Sequence, residues 1–319
     1  MTETTVLPAV AAPAEVPVPR ARRRRVRRLS GRDRLVLAVM VGVPTLIQAV
    51  LVWIPTLFSI GLSFTRWNGL AIADLRPAGL SNYRFVVEDY PPFWPAIAHN
   101  LIWLGFLALV ATPLGLLLAV LLDQRIRGSR IYQSLFFAPV MLSMVLVGII
   151  WQLVYARDEG LLNNMLGTAG RPNAVDWFGD PHVNLWAALV ATAWRHAGYI
   201  MVLYLAGLKG VDPSLREAAA IDGANARQTF FRVVLPAMRP INIVIVVITF
   251  IEALRAFDIV YVINHGTNGL ELLSVLVIQN LVGEGQVIGV GSALAVLLLV
   301  VSLIPIVTYL VRTFRRAEG

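Results

Sequence analysis

The sequence predicts an all-α, polytopic membrane protein that crosses the bilayer about six times. Of its 319 residues, 57% are hydrophobic and only 14% are charged, whereas a soluble domain has about 25% charged residues. Several uncharged runs exceed the roughly 20 residues that an α-helix needs to cross the hydrocarbon core. A soluble core of this size could not bury so much apolar surface, so lipid is the expected solvent.

The chain begins with a segment, residues 1–34, that predicts a disordered, basic cytoplasmic tail. It is rich in Ala, Pro and Val, and it carries nine arginines between Arg20 and Arg34. The uncharged run that starts at Leu35 is too long for the apolar part of a signal peptide. It therefore predicts a retained first transmembrane helix.

Five further spans follow, which gives a transmembrane domain over residues 35–311. The fourth span contains Arg195, and the fifth contains Glu252, Arg255 and Asp258. The predicted spans lie at about 35–63, 100–122, 131–156, 184–208, 240–262 and 287–311.

Five prolines lie in the interior of these spans, apart from Pro240 at the start of the fifth. Each removes a helix hydrogen bond and is expected to kink its helix, as membrane bundles tolerate. They are Pro44, Pro55, Pro113, Pro139 and Pro305.

The distribution of Lys and Arg predicts that both termini are cytoplasmic. With the N-terminus inside, 20 of the 27 basic residues fall in cytoplasmic segments, including the loop 209–239 and the tail 312–319. Five fall in outer loops and two within spans, which agrees with the positive-inside rule. The basic residues flank apolar runs and form no separate basic domain, so they do not indicate a nucleic-acid partner.

The loop between the fourth and fifth spans has the most informative local sequence. Asp212 suits a helix N-cap and Pro213 the first helical position. Gly223 can adopt the left-handed conformation that ends a helix, and Asn225 with Gln228 resembles a second capping box. The pattern predicts two short helices around a glycine turn. From physical chemistry alone, a structured connector is the favoured interpretation.

Seven residues of this loop resemble the EAA loop of ABC importer permeases, with Val233 in place of the usual Ile. They are Glu217, Ala218, Ala219, Gly223, Val233, Leu235 and Pro236. Asp222-Gly223-Ala224, preceded by Ala206-Gly207-Leu208, is similar to the carbohydrate-uptake branch. The resemblance extends over about residues 35–312 and is closest to the first of the two permeases in such systems.

The resemblance implies a type I ABC importer permease fold in the plasma or inner membrane, surrounded by lipid. It implies a heterodimer with a second permease, two ABC ATPase subunits and an extracytoplasmic solute-binding protein. The EAA loop would couple the permease to the ATPase through Glu217, Ala218, Ala219, Asp222, Gly223, Leu235 and Pro236. One departure is the outer stretch 263–269, where the family usually has a T-x-G-G-P-like sequence.

The residues argue against an enzyme. The only lysine is Lys209 and no G-x-x-x-x-G-K-[ST] motif occurs, so the chain lacks a phosphate-binding loop and a partner must hydrolyse ATP. The four histidines and the carboxylates show no metal-ligand or acid–base spacing, so neither a metal nor a cofactor is expected. A permease for an amino acid, a polyamine or a phosphate ester is the open alternative to a sugar importer.

The two spans that contain charges are where a substrate path is expected, because charges inside a membrane usually face a cavity or a partner. Arg195 and Glu252 lie on the order of 20 Å from the cytoplasmic face, so they are predicted to pair in at least one transport state. The resemblance to maltose-type permeases implies further contact positions, although Tyr199 and Thr249 fit ordinary helix packing equally well. These positions are Thr192, His196, Tyr199, Thr249, Glu252, Ala253 and Ala256.

Overall fold

The computed structural model describes residues 30–124, 127–282 and 287–318. Most of the predicted N-terminal tail lies outside these residues. The first helix begins at Gly31, inside the predicted tail, because Ser30 and Asp33 form a capping box at its N-terminus. The chain divides into two compact units, residues 1–54 and 55–319.

The described residues are mostly helical. In the first unit, α1 (Gly31–Gln48) is followed by a π-helical segment, and its side chains are exposed. The helices that follow are α2 (Ile54–Leu62), α3 (Ser81–Arg84), α4 (Phe93–Phe106), α5 (Thr112–Asp123), α6 (Ser129–Phe137), α7 (Met144–Val154), α8 (Leu161–Met165), α9 (Asn184–Gly210), α10 (Pro213–Ile221), α11 (Ala226–Thr229), α12 (Leu235–Ala237), α13 (Arg239–Leu254), α14 (Asp258–Asn264), α15 (Leu273–Val282) and α16 (Ile288–Glu318).

A short antiparallel ladder departs from the all-α prediction. It pairs β1 (Thr65–Arg66) with β2 (Arg76–Pro77) in the segment after α2. Asn82 stabilises it from α3 by donating to the carbonyls of Ser63 and Thr65, both at 2.8 Å.

Within the described ranges, three helical stretches are long and apolar enough to cross a membrane: Gly31–Leu62, Phe93–Asp123 and Ile288–Arg312. They overlap the first, second and sixth predicted spans. The predicted third span is not one straight helix, because Ser129–Met141 and Met144–Val154 meet at 103°. Leu142 is extended at the bend, and the Ser143 side chain caps α7.

The predicted fifth span is also broken. α13 ends at Leu254, and a new helix, α14, starts at Asp258. α13 has 16 residues, fewer than the roughly 20 that a straight span needs. The charged residues Arg255 and Asp258 flank this break, so the break coincides with the charges that interrupt the apolar run.

α9 is the central helix of the second unit. Seventeen of its 27 residues are buried, and it contributes to two of the three hydrophobic clusters in this unit. Gly115 of α5 permits a close approach, because a Cβ there would lie 2.8 Å from the Ala197 carbonyl oxygen. Most of α9 packs against neighbouring helices, and its polar residues Thr192 and His196 lie on this buried side.

All four π-helical segments among the described residues end two residues before a proline. Their hydrogen bonds run from residue i to i+5 rather than i+4. Where the helix continues through the proline, the wider turn relieves the clash between the proline ring and a preceding carbonyl, whereas the helix before Pro91 ends at the extended Tyr90. The segments are Ala49–Trp53 before Pro55, Phe85–Asp89 before Pro91, Leu107–Ala111 before Pro113, and Phe230–Val234 before Pro236.

Candidate functional site

The loop between α9 and α13 begins with a capped helix, α10. The Asp212 side chain accepts a hydrogen bond from the Ser214 backbone N–H at 2.9 Å, and Pro213 occupies the first helical position. The backbone N–H of Ser214, and then its side chain, hold the pKa of the Asp212 carboxyl below its usual value. The cap is therefore ionised at neutral pH, as a helix N-terminus favours.

The predicted glycine turn is confirmed. Gly223 has φ +76°, in the left-handed region that favours glycine. Asn225 and Gln228 then form the predicted capping box at the start of α11. The second helical stretch continues through the π-helical turn and Pro236 to Ala237, one residue beyond the predicted stop. The loop is therefore a helical hairpin with a fixed turn.

This hairpin presents most of its EAA-type residues to solvent. Ala219 is buried and Leu235 is half-buried, whereas the other candidate coupling residues are exposed: Glu217, Ala218, Asp222, Gly223 and Pro236. Ile221, next to the turn, has 86% of its surface exposed. The hairpin thus exposes an apolar side chain beside its turn.

An ion pair fixes the hairpin to the helix bundle. The Nη1 atom of Arg216 lies 3.4 Å from Oδ2 of Asp123, the last residue of α5. The Nη2 atom of Arg216 donates to the Leu208 carbonyl near the end of α9, also at 3.4 Å. One guanidinium therefore connects α10 to the ends of two bundle helices. Sequence reasoning missed this pair, although opposite charges on the same side of the membrane were visible.

A buried polar chain connects three bundle helices. His196 of α9 lies with Nε2 at 3.3 Å from the Thr249 hydroxyl of α13. Thr249 in turn contacts the Thr112 hydroxyl of α5 at 3.3 Å. His196, Thr249 and the nearby Thr192 are all less than 5% exposed. In this conformation these three candidate path residues face the interior of the chain itself.

Arg195 interacts with the bend between α6 and α7 rather than with Glu252. Its Nε atom donates to the Leu142 carbonyl at 3.2 Å. That carbonyl lies at the break, where helix hydrogen bonding is interrupted. Glu252 is half-buried and forms no hydrogen bond or ion pair with the described residues. The predicted Arg195–Glu252 pair is therefore not formed in this conformation.

The remaining candidate path residues differ in burial. Ala253 is buried, and its carbonyl accepts from Asn100 at 3.4 Å. Ala256 is half-buried, and its carbonyl accepts from the Ser274 hydroxyl. Tyr199 is half-buried beside the hydrophobic cluster around Ile200. Half-buried candidates thus lie on α9, on α13 and just after it.

Asn100 and Thr112 are polar residues that the sequence analysis did not single out. Asn100 of α4 bridges the Ala253 carbonyl and the Leu273 backbone N–H, the second at 3.0 Å. It therefore connects α13 to the start of α15. Asn100 and Thr112 could have been noticed in the sequence as single polar side chains within apolar runs. Lipid disfavours such a side chain, whereas a neighbouring helix can supply its hydrogen-bond partner.

The comparison with known families decides the identity of this helical bundle. The family described as "Binding-protein-dependent transport system inner membrane component" matches residues 111–316. The chain belongs to this family. It is therefore a membrane-embedded transport component, a permease subunit whose transport depends on a binding protein.

Curated relatives of this permease are themselves transport permeases. A xylose/arabinose import permease protein of Haloferax volcanii is 31% identical over 278 residues, which cover 86% of this chain and 87% of the relative. A trehalose/maltose transport system permease protein of Thermococcus litoralis is 32% identical over 240 residues, covering 75% and 80%. Both alignments extend over most of each chain.

A solved structure has the same fold as this permease. The crystal structure of a bacterial ABC transporter involved in the import of alginate contains a chain with a TM-score of 0.75 and 23% identity. The match covers 89% of this permease and 96% of that chain. This likeness supports the type I importer arrangement of the helices described above.

The family match contains both parts of the candidate site, the hairpin 209–239 and the helices α9 and α13. Among the described residues, no three His, Asp or Glu side chains cluster as metal ligands would. The site consists of an exposed hairpin, an ion pair that connects it to the bundle, and helices joined by polar contacts.

Proposed function

We propose that this permease forms the translocation path of an ABC importer for a sugar or sugar derivative. The observation that carries the proposal is the hairpin 209–239, exposed at Glu217 and Ile221 and connected to the bundle through Arg216. Docked in a groove of an ATPase subunit, this hairpin would transmit ATPase closure to α5 and α9. The ATPase partner would hydrolyse ATP, and the helix bundle would provide alternating access to the two sides of the membrane.

The proposed topology has six spans with both termini in the cytoplasm. The bent pair α6 and α7 counts as one span, α9 as another, and α13 with α14 as a broken one. The distribution of Lys and Arg supports this orientation, since 20 of the 27 basic residues would be cytoplasmic. Broken helices are tolerated at membrane depth where protein surrounds them.

The proposed partners are a second permease subunit, two ABC ATPase subunits and an extracytoplasmic solute-binding protein, with membrane lipid around the assembly. Family membership supports dependence on a binding protein. Charged Arg255 and Asp258 are exposed in the isolated chain and line a cavity of about 420 Å³ beside α15 and α16. Because exposed charges are disfavoured in lipid, this region would face the second permease or water.

The candidate residues that are not buried inside this chain are proposed to line the substrate path. These are Arg195, Tyr199, Glu252 and Ala256, all half-buried. Tyr199 can stack on a sugar ring, and the Glu252 carboxylate can accept hydrogen bonds from sugar hydroxyls. The buried candidates Thr192, His196, Thr249 and Ala253 would support this surface from behind.

A sugar is the proposed substrate class because the relatives named above transport pentoses or disaccharides according to their names. The test is uptake by proteoliposomes that contain this permease with its partner permease, ATPases and binding protein. ATP-dependent accumulation of a labelled mono- or disaccharide is expected, without accumulation of amino acids, polyamines or phosphate esters. Uptake of one of those solutes and of no sugar would contradict the proposal.

A further inference from the structure

A cavity of about 630 Å³ lies between the segment 66–90, the end of α15 and the start of α16. In the proposed topology this is the outer end of the bundle, and none of the candidate path residues lines the cavity. Its volume falls within the range of small-molecule sites, about 300–1,000 Å³. The lining combines aromatic, amide and charged side chains, among them Trp67, Phe85, Tyr90, Asn82, Asn280 and Asp74.

Asn82 offers this cavity a hydrogen-bond acceptor whose orientation is fixed. The residue is 5% exposed, and its Nδ2 atom donates to the carbonyls of Ser63 and Thr65, both at 2.8 Å. Its Oδ1 atom forms no hydrogen bond with the described residues, and it is not enclosed as the unpaired Ser81 hydroxyl is. A nearly buried acceptor that stays accessible favours a ligand that donates to it.

Asn280 of α15 presents a second acceptor in the same way. Its Nδ2 atom donates to the Leu276 carbonyl at 2.8 Å and to the Tyr90 hydroxyl at 3.0 Å, whereas its Oδ1 atom has no partner in the described part of the chain. The exposed Asp74 carboxylate adds further acceptors. The cavity therefore offers amide and carboxylate oxygens to a ligand that is rich in hydrogen-bond donors.

Aromatic rings give the same cavity an apolar side. The indole of Trp67 is half-buried, and its Nε1 atom donates to the Ala71 carbonyl at 2.8 Å. Phe85 is 41% exposed, and its ring centroid lies 6.0 Å from that of Tyr90. Sugar rings combine apolar C–H faces with hydroxyl donors, so they match aromatic rings beside oxygen acceptors.

The charges of the cavity favour a ligand without net charge. Arg66 and Asp74 both line it, and neither forms an ion pair within the described ranges. One positive and one negative side chain give the lining no excess of either sign. The cavity therefore has no field that would attract a phosphate ester or a polyamine.

We propose that this cavity binds a neutral mono- or disaccharide at the outer face, as a site additional to the proposed substrate path. The sugar ring stacks on Trp67, and its hydroxyls donate to Asn82, Asn280 and Asp74. The inference rests on the proposed function only for the outer position of the cavity, since the sugar chemistry follows from the lining. Such a site holds sugar without the binding protein.

The test is sugar binding by the complete transporter in nanodiscs, without ATP and without the binding protein. Saturation-transfer NMR titrations use maltose, trehalose, xylose and arabinose as probes, and at least one of them is expected to bind. Trp67→Ala is expected to weaken that binding about fivefold, since an aromatic contact contributes on this order. Trp67→Phe, which keeps an aromatic ring, should lose less.

Trp94→Ala is the matched control for the aromatic contact. Trp94 is 59% exposed, its Nε1 atom also donates to a backbone carbonyl, that of Val87 at 3.0 Å, and it does not line the cavity. This variant should leave sugar binding unchanged. Equal effects of the Trp67→Ala and Trp94→Ala variants would overturn the proposal.

Asp74→Asn tests the hydrogen bonds without disturbing the core, because Asp74 is exposed. It is expected to weaken sugar binding about fivefold, since one hydrogen bond contributes on this order. Asp89→Asn, at an exposed carboxylate outside the cavity, should have no effect. Equal binding by both variants would contradict the role of the Asp74 carboxylate.

Further outcomes separate this cavity from the proposed path and from other ligands. Binding lost in Tyr199→Ala but normal in Trp67→Ala would assign the sugar to the path and overturn the proposal. Absence of binding by every sugar, or stronger binding of a zwitterionic amino acid than of any sugar, would also overturn it. Failed sugar uptake with intact binding at the cavity would count against the proposed function alone. Normal uptake without such binding would count against this inference alone.

Discussion

Arg195 illustrates how a single charge can have a structural role inside a membrane protein. Its guanidinium donates to the Leu142 carbonyl, at the point where α6 and α7 meet at 103°. A carbonyl left without a partner at such a bend would cost about 1–3 kcal/mol. The charge thus stabilises the bend, and the bend gives the charge an acceptor.

The stability of the assembled transporter tests this role. Arg195→Met is expected to lower its unfolding free energy by about 1–3 kcal/mol, because the Leu142 carbonyl loses its donor. Arg195→Lys should lose less, since an ammonium can still donate. Thermal or denaturant unfolding in detergent provides the measurement.

A double-mutant cycle with Glu252→Gln separates this account from the predicted ion pair. In the conformation described here the two residues share no partner, so their effects on stability should add within about 0.5 kcal/mol. A larger coupling energy in the unfolding experiment would contradict this structure's account of Arg195. Coupling in transport rates alone would indicate that the pair forms in another transport state.

Individual residues were predictable from the sequence where the local chain determines them. Asp212, Gly223 and Asn225 act within a few residues of themselves, and their caps and turn were predicted correctly. The acceptor of Arg195 lies 53 residues away, and the partner of Asn100 at Leu273 lies 173 residues away. Such pairs depend on the three-dimensional arrangement of the helices, which local sequence patterns do not reveal.

At the scale of elements, hydrophobic runs located the helices but not their breaks. An uncharged run from residue 131 predicts one span, yet Pro139, the extended Leu142 and the Ser143 cap divide it. Pro139 was visible in the sequence, but so were Pro44 and Pro305, which lie inside uninterrupted α-helices. A proline alone therefore does not locate a break. Whether the helix continues, forms a π-helical turn or bends depends on the helices packed around it.

The ion pair between Arg216 and Asp123 is a contact between elements, because it connects the hairpin 209–239 to α5. The side chains are 41% and 22% exposed, so the pair is expected to contribute less than about 1 kcal/mol to stability. Its expected role is to fix position. Arg216→Asp should reduce ATP hydrolysis stimulated by the solute-loaded binding protein, while the subunits still assemble.

Exchange of the two charges provides the internal control. The double variant Arg216→Asp with Asp123→Arg should recover a substantial part of the stimulated hydrolysis, because the attraction is restored. Arg130→Asp, at an exposed arginine near the start of α6, should leave stimulation unchanged. If the exchanged pair is as impaired as Arg216→Asp alone, the ion pair does not position the hairpin.

At the scale of the whole molecule, the proposed orientation makes a direct prediction. The chain contains no cysteine, so single-cysteine variants report unambiguously. Arg171→Cys and Arg227→Cys replace two exposed arginines on opposite sides of the proposed membrane. An impermeant thiol reagent should label the first in intact cells, given access through any outer envelope, and the second only after the cells are opened. Labelling of Arg227→Cys from outside would reverse the topology.

The central claim is that the hairpin 209–239 couples this permease to an ATPase, and Gly223 offers its most direct test. Gly223 and Gly167 both have positive φ, +76° and +68°, and a Cβ on either would meet no atom within 4 Å. Valine should therefore introduce similar strain, about 1–2 kcal/mol, at both positions. Only Gly223 lies in the hairpin.

The decisive measurement is ATP hydrolysis stimulated by the solute-loaded binding protein, in nanodiscs that contain the complete transporter. Gly223→Val is expected to reduce stimulation on the order of tenfold, since strain of this size shifts a conformational equilibrium by about that factor. Gly167→Val should leave it within about twofold. Near-normal stimulation of an assembled Gly223→Val transporter, or equal losses in both variants, would contradict the coupling role of the hairpin.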